Sequence, residues 1–319
     1  MTTTIVLIST DRATELRQSL PAAMAQDDAE VIVLDNASTD ATAELASSHG
    51  ARHLRLGRRM SWAAANNAGI AAAEGDSVLL LNADCFLEPD FLTHARAALS
   101  DPSVGAVAPK LVRTLGPEPA DRLDLLDAAG MRMDRARRNN LTGHGRPRLA
   151  YDTPGLAFGA DGAAALYRRE MLDDCTTVGG ELLDPSFEKW ASDVDLAWRA
   201  HLMGWKCAYE PRAVAYHVRS YGPTSRAAVP ETDRRVQFRN RYLMMLKNDS
   251  LASFARDLPR IAAYEVLALG YALLRERHLL RGYREAMRLA PEARRKGRAI
   301  AKARRVDPRR VPFGLEPLA

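Results

Sequence analysis

The first hundred residues alternate between short apolar runs and helical patterns, and this alternation is the strongest constraint on the fold. The apolar runs span residues 4–9, 31–34 and 77–81. Each run is followed by a helical pattern, which begins after Asp11, after Ser38 and at Pro89 respectively. Strands that alternate with helices along a chain are typical of a parallel sheet with flanking helices. The sequence therefore predicts an α/β fold.

Polar residues follow the predicted strands directly. Thr10 follows the first run, Asp35 the second, and the segment from Asn82 to Asp84 the third. Parallel sheets bind their ligands in a crevice at the carboxyl ends of the strands. We therefore expect these side chains to converge on one crevice.

Length and composition predict one large α/β domain and a helical region. The chain has 319 residues, of which 47% are hydrophobic. We place the α/β domain at residues 1–230, with a less regular insertion at about 110–154 over the sheet edge, and a helical, basic region at 231–319. The three cysteines contain no CxxC pair, which favours a reducing compartment. No signal peptide and no membrane-spanning helix are predicted, so we expect a cytoplasmic location.

The net charge of +5 comes mainly from arginines and lysines near the carboxyl end. Such a cluster on helical periodicity has three interpretations: a solvated face, an anionic membrane surface or nucleic acid. The membrane surface is the favoured interpretation and nucleic acid the least favoured. The cluster consists of Arg294, Arg295, Lys296, Arg298, Lys302, Arg304, Arg305, Arg309 and Arg310.

Four motifs occur in a fixed order along the chain. They read VIVLDNASTDAT, SWAAANNAGI, LLLNADCFLEPDFL and WASDVDLAWRAHLMGWKCAYEPRAVAYH, and they lie between about residues 5 and 217. In this order they resemble the catalytic domain of family 2 glycosyltransferases. The resemblance implies a GT-A-type fold, with a mixed, mainly parallel sheet flanked by helices. The helical carboxyl-terminal pattern is similar to that of the rhamnosyltransferase-like bacterial subgroup.

The resemblance implies that Thr10, Asp35, Asn66, Asn82 and Asp84 contact a nucleotide-sugar donor. Each residue also has a structural interpretation. Asp35 begins a run of turn-forming residues and could cap a turn. Asn66 could belong to an ordinary polar helix face, and the neighbouring Trp62 is expected to pack rather than bind.

The resemblance implies a Mn²⁺ or Mg²⁺ site formed by Asp84 and His217. A carboxylate at a strand end suits a hard cation, and an imidazole nitrogen would favour manganese. Asn82 stands where the family usually has the first acid of an Asp-X-Asp motif. This substitution should weaken the metal site. The alternative for His217 is an ordinary structural histidine.

Asp193 matches the family's general base, while Ser192 replaces the neighbouring acid. Loss of that negative charge predicts a lower pKa and a weaker base. The structural alternative for Asp193 is capping of the following helix. Asp195 is expected to pair with Arg199, four residues later on the same helix face.

The resemblance implies an inverting transfer of a sugar to a glycan or lipid-linked acceptor, in the synthesis of bacterial cell-surface polysaccharide. Candidate donors are dTDP-rhamnose and a UDP-sugar. Peripheral association with the inner face of the plasma membrane would follow from a lipid-linked acceptor. Two alternatives stay open: a non-catalytic sugar-nucleotide-binding or scaffold protein, motivated by Asn82 and Ser192, and a sugar nucleotidyltransferase. The second is disfavoured because STDRATELRQ lacks a glycine-rich phosphate loop.

Overall fold

A ten-stranded mixed sheet runs through the computed structural model, which describes residues 1–176, 181–219, 221–222 and 226–318. The strands in these ranges are β1 (Thr3–Ser9), β2 (Ala29–Asp35), β3 (Arg52–Arg55), β4 (Ser77–Asn82), β5 (Cys85–Leu87), β6 (Val104–Thr114), β7 (Arg122–Ala129), β8 (Met131–Met133), β9 (Asn139–Leu141), β10 (Gly155–Ala157), β11 (Ala164–Arg168) and β12 (Lys206–His217). Strands β8 and β9 form a separate hairpin.

The helices lie on both faces of the sheet and at the carboxyl end of the chain. They are α1 (Ala13–Met24), α2 (Thr42–Ser48), α3 (Trp62–Ala72), α4 (Phe91–Ala98), α5 (Arg169–Asp174), α6 (Ser192–Met203), α7 (Glu231–Asn248), α8 (Leu251–Leu274) and α9 (Leu279–Ala303). Among all the residues that the structure describes, no helix is both long enough and apolar enough to span a membrane.

The sheet has a parallel half and a mixed half. Strands β4, β1, β2 and β3 are parallel neighbours in that order. Strand β11 runs antiparallel between β4 and β6, and β12 is parallel to β6. The α/β fold with a mostly parallel sheet, flanking helices and carboxyl-terminal helices is therefore confirmed.

Alternating side chains of the central strands supply two cores. In β1, Ile5 and Leu7 belong to the apolar cluster with Leu16 of α1, whereas Val6 and Ile8 belong to the cluster that contains Ala63 of α3. Both faces of the strand are therefore buried, as expected for a parallel sheet covered by helices. This explains why residues 4–9 form a continuous apolar run.

Residues 110–154 have more regular structure than their sequence pattern indicates. Residues 110–114 complete the long strand β6, and β7 pairs antiparallel with β6 through two register shifts. The hairpin β8–β9 follows. The segment thus contributes directly to the sheet and to the surroundings of the site.

The carboxyl-terminal helices are fastened to the α/β domain by buried ion pairs. Lys247 of α7 contacts Asp184 at 2.9 Å and Asp195 at 2.8 Å. The fully buried Arg137 contacts Asp249 at 2.8 Å and Asp257 at 2.9 Å. Charges removed from water in this way require close partners, so the helices must keep a fixed position on the domain.

Candidate functional site

The sheet register places the predicted polar residues at one edge. Ser9 lies opposite Asp35, and Ile8 lies opposite Asn82. Thr10 follows Ser9 and accepts a hydrogen bond from the Asn36 amide at 3.2 Å. The carboxyl ends of β2, β1 and β4 therefore present these residues side by side.

Asp35 is fully buried and already carries three hydrogen-bond partners. One carboxylate oxygen accepts the backbone N–H of Ser38 at 2.7 Å, which is the turn-capping contact. The other oxygen lies 2.9 Å from the Arg55 guanidinium and 3.2 Å from the His53 ring. A nucleoside that contacts this carboxylate would have to share it with Arg55.

The structure does not bring Asn66 to the surface of the crevice. This side chain is fully buried, and its amide donates to the Trp62 carbonyl at 2.9 Å. Its Oδ1 atom is buried without a hydrogen-bond partner among the described residues. The neighbouring Asn67 instead ties α3 to the backbone of Leu183, with bonds of 2.7 and 2.8 Å.

Asp84 and His217 meet at the ends of β4 and β12. Nε2 of His217 lies 3.6 Å from Oδ1 of Asp84, and Nδ1 lies 2.8 Å from Oδ2 of Asp127. Asp84 keeps 20% of its side chain exposed, whereas His217 and Asp127 are buried. Asp127 thus fixes the ring of His217 and directs its other nitrogen toward Asp84.

The charges of this group shift the pKa values of its members. Burial alone would lower the pKa of His217, but hydrogen bonds to Asp127 and Asp84 outweigh burial and raise it to about 9. Burial acts to raise the pKa of Asp84, yet the hydrogen bond and positive charge of His217 lower it. The protein without a bound cation therefore favours a protonated His217 between two carboxylates.

The donor atoms of this group fit a divalent cation that is only partly coordinated by protein. Asp84 offers a carboxylate oxygen and His217 an imidazole nitrogen, and Asp127 supports the histidine as outer partners commonly do at metal sites. Across the described ranges, no set of three or more His, Cys, Asp or Glu side chains is arranged to hold a metal ion. Oxygen atoms of a bound ligand would have to complete the coordination.

Arg219 connects this group to a second acidic residue. Its guanidinium contacts Asp127 and Asp161, each at 2.7 Å. Asp161 also accepts the backbone N–H of Ala163 at 2.9 Å. The motifs gave no indication of Asp127 or Arg219. The only local sign of Arg219 was its place two residues after His217.

Asp193 lies in the first turn of α6 but is not its N-cap residue. The N-cap position belongs to Ala191, whose φ of 72° is left-handed. The two carboxylate oxygens of Asp193 accept the backbone N–H groups of Gly162 at 3.1 Å and of Val194 at 2.9 Å, and the residue is half-buried. Each carboxylate oxygen can accept a further hydrogen bond, so the group can still contact a ligand.

The pKa of Asp193 lies above that of an ordinary aspartate, although Ser192 supplies no negative charge beside it. Burial and the negative charge of Asp161 raise the pKa of Asp193 to about 6. The like charge that Ser192 no longer supplies therefore comes from Asp161, which is distant in sequence. A carboxylate with a pKa near 6 is better suited to accept a proton at neutral pH than an ordinary aspartate is.

Buried contacts from α7 hold α6 in place. Asp195 is fully buried and pairs with Arg199 at 3.1 Å, as its spacing predicted. Asp195 also accepts hydrogen bonds from Lys247 at 2.8 Å and Asn248 at 2.7 Å. These contacts from α7 therefore fix the position of α6, which carries Asp193.

Trp62 lies between the strand-end residues and Asp193. Its indole N–H donates to Oδ1 of Asn82 at 3.1 Å. A Cβ atom added to Gly162 would lie 2.8 Å from the tip of the Trp62 ring, so only glycine fits here without displacing the ring. Trp62 packs, as its sequence context predicted, and it occupies the space between Asn82 and Gly162.

Comparisons with known proteins give one family. The model of the family described as "Glycosyl transferase family 2" matches residues 4–176, more than half of the chain. The uncharacterised protein y4gI of Sinorhizobium fredii is 29% identical over 71% of this chain and 25% of its own length. The pre-mycofactocin glycosyltransferase of Mycobacterium tuberculosis is 31% identical over 49% of this chain and 29% of its own length. The chain thus spans less than a third of these relatives.

Two solved structures share the fold at low sequence identity. TarS residues 1–349 of S. aureus, in complex with UDP-GlcNAc, has a TM-score of 0.61 and 17% identity, covering 95% of this chain and 89% of that one. GalNAc-T7 with UDP, GalNAc and Mn²⁺ has a TM-score of 0.59 and 15% identity, covering 77% and 48%. These likenesses show a GT-A fold.

Proposed function

Because the chain belongs to glycosyl transferase family 2, we propose that it is an inverting glycosyltransferase. It moves a sugar from a nucleotide-diphosphate sugar to a hydroxyl group of a glycan or lipid-linked acceptor. The observation that carries this proposal is Asp193, a half-buried residue whose carboxylate pKa is raised to about 6 by burial and by Asp161. Gly162 and Trp62 connect Asp193 to Asn82 at the edge of the sheet, which supports the same site.

The proposed reaction is a single displacement at the anomeric carbon. Asp193 accepts the proton of the acceptor hydroxyl while the acceptor oxygen forms a bond to that carbon. The bond from the anomeric carbon to the diphosphate oxygen breaks on the opposite side, and the electron pair leaves with the nucleoside diphosphate. The sugar configuration is therefore inverted.

A divalent cation is part of the proposal. Asp84 and His217 would hold it, and Mn²⁺ and Mg²⁺ are both candidates. Such an ion supplies positive charge that stabilises the departing diphosphate. Within the chain itself, Asp127 orients His217 for this role.

The donor and acceptor are proposed at the level of chemical class. The fold relatives TarS and GalNAc-T7 were solved with UDP-GlcNAc and with UDP, GalNAc and Mn²⁺ respectively, which supports a UDP-sugar. The resemblance of the carboxyl-terminal pattern to rhamnosyltransferase-like proteins supports dTDP-rhamnose as the other candidate. A lipid-linked acceptor in cell-surface polysaccharide synthesis, at the inner face of the plasma membrane, is consistent with the basic helical region.

The alternative is a non-catalytic protein that binds sugar nucleotides. Asn82 and Ser192 favour it, because both stand where the family has acids. Donor binding without turnover would separate this alternative from the enzyme.

The first prediction concerns the dependence of transfer on pH. Asp193 acts as a base only when it is deprotonated. The value of kcat/KM for the acceptor should therefore rise with pH and level off above about pH 6. In Asp161→Asn, loss of the like charge lowers the pKa of Asp193 and moves the midpoint to lower pH. Initial rates measured over a series of buffers at constant ionic strength test both expectations. A profile with no inflection near pH 6 would contradict the assignment.

The second prediction concerns the donor site. Nucleoside diphosphate with Mn²⁺ should raise the melting temperature of the wild-type protein, and Asp84→Ala should abolish the Mn²⁺-dependent part of that rise. The exposed Asp90, six residues further on, provides the control Asp90→Ala, which should keep the full shift. A thermal-shift series over several nucleotides gives the result. An equal Mn²⁺-dependent shift in melting temperature in both variants would show that Asp84 is not part of the donor site.

A further inference from the structure

Helix α8 exposes an apolar surface that no described part of the chain covers. Val266 and Leu267 are each 72% exposed, and Leu274 is 84% exposed. The other large apolar side chains exposed on this helix are Leu251, Leu258, Leu269, Tyr271 and Leu273. Soluble proteins rarely expose contiguous apolar patches of this kind without a binding partner.

The exposed residues form one continuous arc around the helix. Positions 251, 255, 258, 262, 266, 269 and 273 follow one another at intervals of three or four residues, and all are apolar. Positions 259, 263, 267, 270 and 274 form the adjacent row, which is also apolar. We call these two rows the apolar arc of α8. At 1.5 Å per residue the 24-residue helix is about 36 Å long.

One border of the apolar arc carries cations. Arg256 and Arg260 are exposed along this border. Glu265, on the opposite border, is engaged by Arg241 and Tyr242. Further exposed arginines follow α8, and within the described residues they and Arg260 have no ion-pair partner. These are Arg275, Arg277, Arg281, Arg284 and Arg288.

We propose that α8 is an interfacial helix that binds the surface of an anionic lipid bilayer. The apolar arc would enter the boundary between head groups and acyl chains, and the unpaired arginines would contact anionic head groups. A second copy of the chain is a less favourable partner for the apolar arc, because a symmetric contact through this surface would bring like charges together.

The apolar arc, rather than the basic cluster at residues 294–310, carries this inference. Several cations of that cluster are occupied within the protein: Arg295 pairs with Glu292, the buried Lys296 with Asp184, and Arg305 with Asp174. Membrane binding by α8 deepens the proposed function and rests on it in one respect. A lipid-linked acceptor would lie in the membrane that α8 binds. Membrane binding itself does not require catalysis.

Flotation with vesicles tests the inference on the full chain. Wild-type protein should float with vesicles that contain phosphatidylglycerol, and less with phosphatidylcholine alone. The double variant Val266→Ser with Leu267→Ser should reduce binding to the anionic vesicles by about tenfold or more. Arg260→Gln with Arg277→Gln should reduce the preference for anionic vesicles and its sensitivity to salt.

Matched controls separate the surface from general effects of substitution. Leu115 is 71% exposed and lies on the segment between β6 and β7, so Leu115→Ser should bind vesicles like the wild type. Arg17→Gln, an exposed cation on α1, serves the same purpose for charge. Circular dichroism should show equal helix content in all variants, because every substituted side chain is exposed.

Two outcomes would overturn the inference. One is vesicle binding that the α8 variants leave unchanged. The other is a wild-type dimer that does not bind vesicles and that the Val266 and Leu267 substitutions dissociate, as measured by light scattering. Transfer to a water-soluble acceptor, measured in parallel, reports on the proposed function alone, so a failure of either proposal can be recognised separately.

Discussion

Asp193→Asn should reduce the rate of sugar transfer by about 10²- to 10⁴-fold, the usual contribution of a general base. The asparagine amide keeps the size of the side chain and can still accept the Gly162 N–H through its oxygen. It cannot accept the acceptor proton. The substitution also removes the carboxylate whose pKa is raised by burial and Asp161. Donor binding should be nearly unchanged, because the predicted donor contacts lie at the strand ends.

Single-turnover transfer and calorimetric donor titration, carried out on the same preparations, separate these two effects. Asp90→Asn, a change of the same chemistry on an exposed residue, should transfer at the wild-type rate. If Asp193→Asn loses donor affinity and rate together, the carboxylate positions the donor and does not act as base. If it keeps the wild-type rate, the proposed mechanism is wrong.

Lys247→Met should lower the free energy of unfolding by about 3 to 5 kcal/mol, which is typical when one partner is removed from a buried ion pair. Lys247 contacts Asp195 at 2.8 Å and Asp184 at 2.9 Å, and all three are buried. Burial acts to raise the pKa of Asp184, but the charges of Lys247 and Lys296 outweigh it and hold the pKa well below its usual range. Methionine would leave Asp195 with Arg199 and Asn248 alone.

Urea denaturation followed by circular dichroism measures this loss. Lys189 pairs with Asp233 at 2.6 Å, but 56% of its side chain is exposed. Lys189→Met should therefore cost less than about 1 kcal/mol. Similar losses in the two variants would mean that the buried network does not hold α6 and α7 together as inferred.

Local periodicity was sufficient to predict three strands of the parallel half of the sheet, but it did not indicate the short strand β3. The runs at 4–9, 31–34 and 77–81 became Thr3–Ser9, Ala29–Asp35 and Ser77–Asn82, within two residues at each end. These strands are buried on both faces, so their apolar character is continuous. The pairing of Asp195 with Arg199 was equally predictable, because it depends only on helical spacing.

Long-range contacts and irregular strands were not predictable in this way. Asp127 lies 90 residues before His217 in sequence, and nothing in its neighbourhood marks it as a partner of a histidine. The raised pKa of Asp193 depends first on burial and then on the charge of Asp161, which is distant in sequence. Strand β7 pairs with β6 through register shifts, and these break the two-residue period that a sequence pattern would show.

Turnover of nucleotide sugars is the most direct test of the proposed glycosyl transfer. The full chain would be incubated with Mn²⁺, a lipid-extract acceptor and each of several UDP- and dTDP-sugars, and released nucleoside diphosphate and product configuration would be recorded. We expect acceptor-dependent release with at least one donor, a product of inverted configuration, and no release by Asp193→Asn. Tight donor binding with no release from any donor would contradict the account and favour a non-catalytic sugar-nucleotide-binding protein.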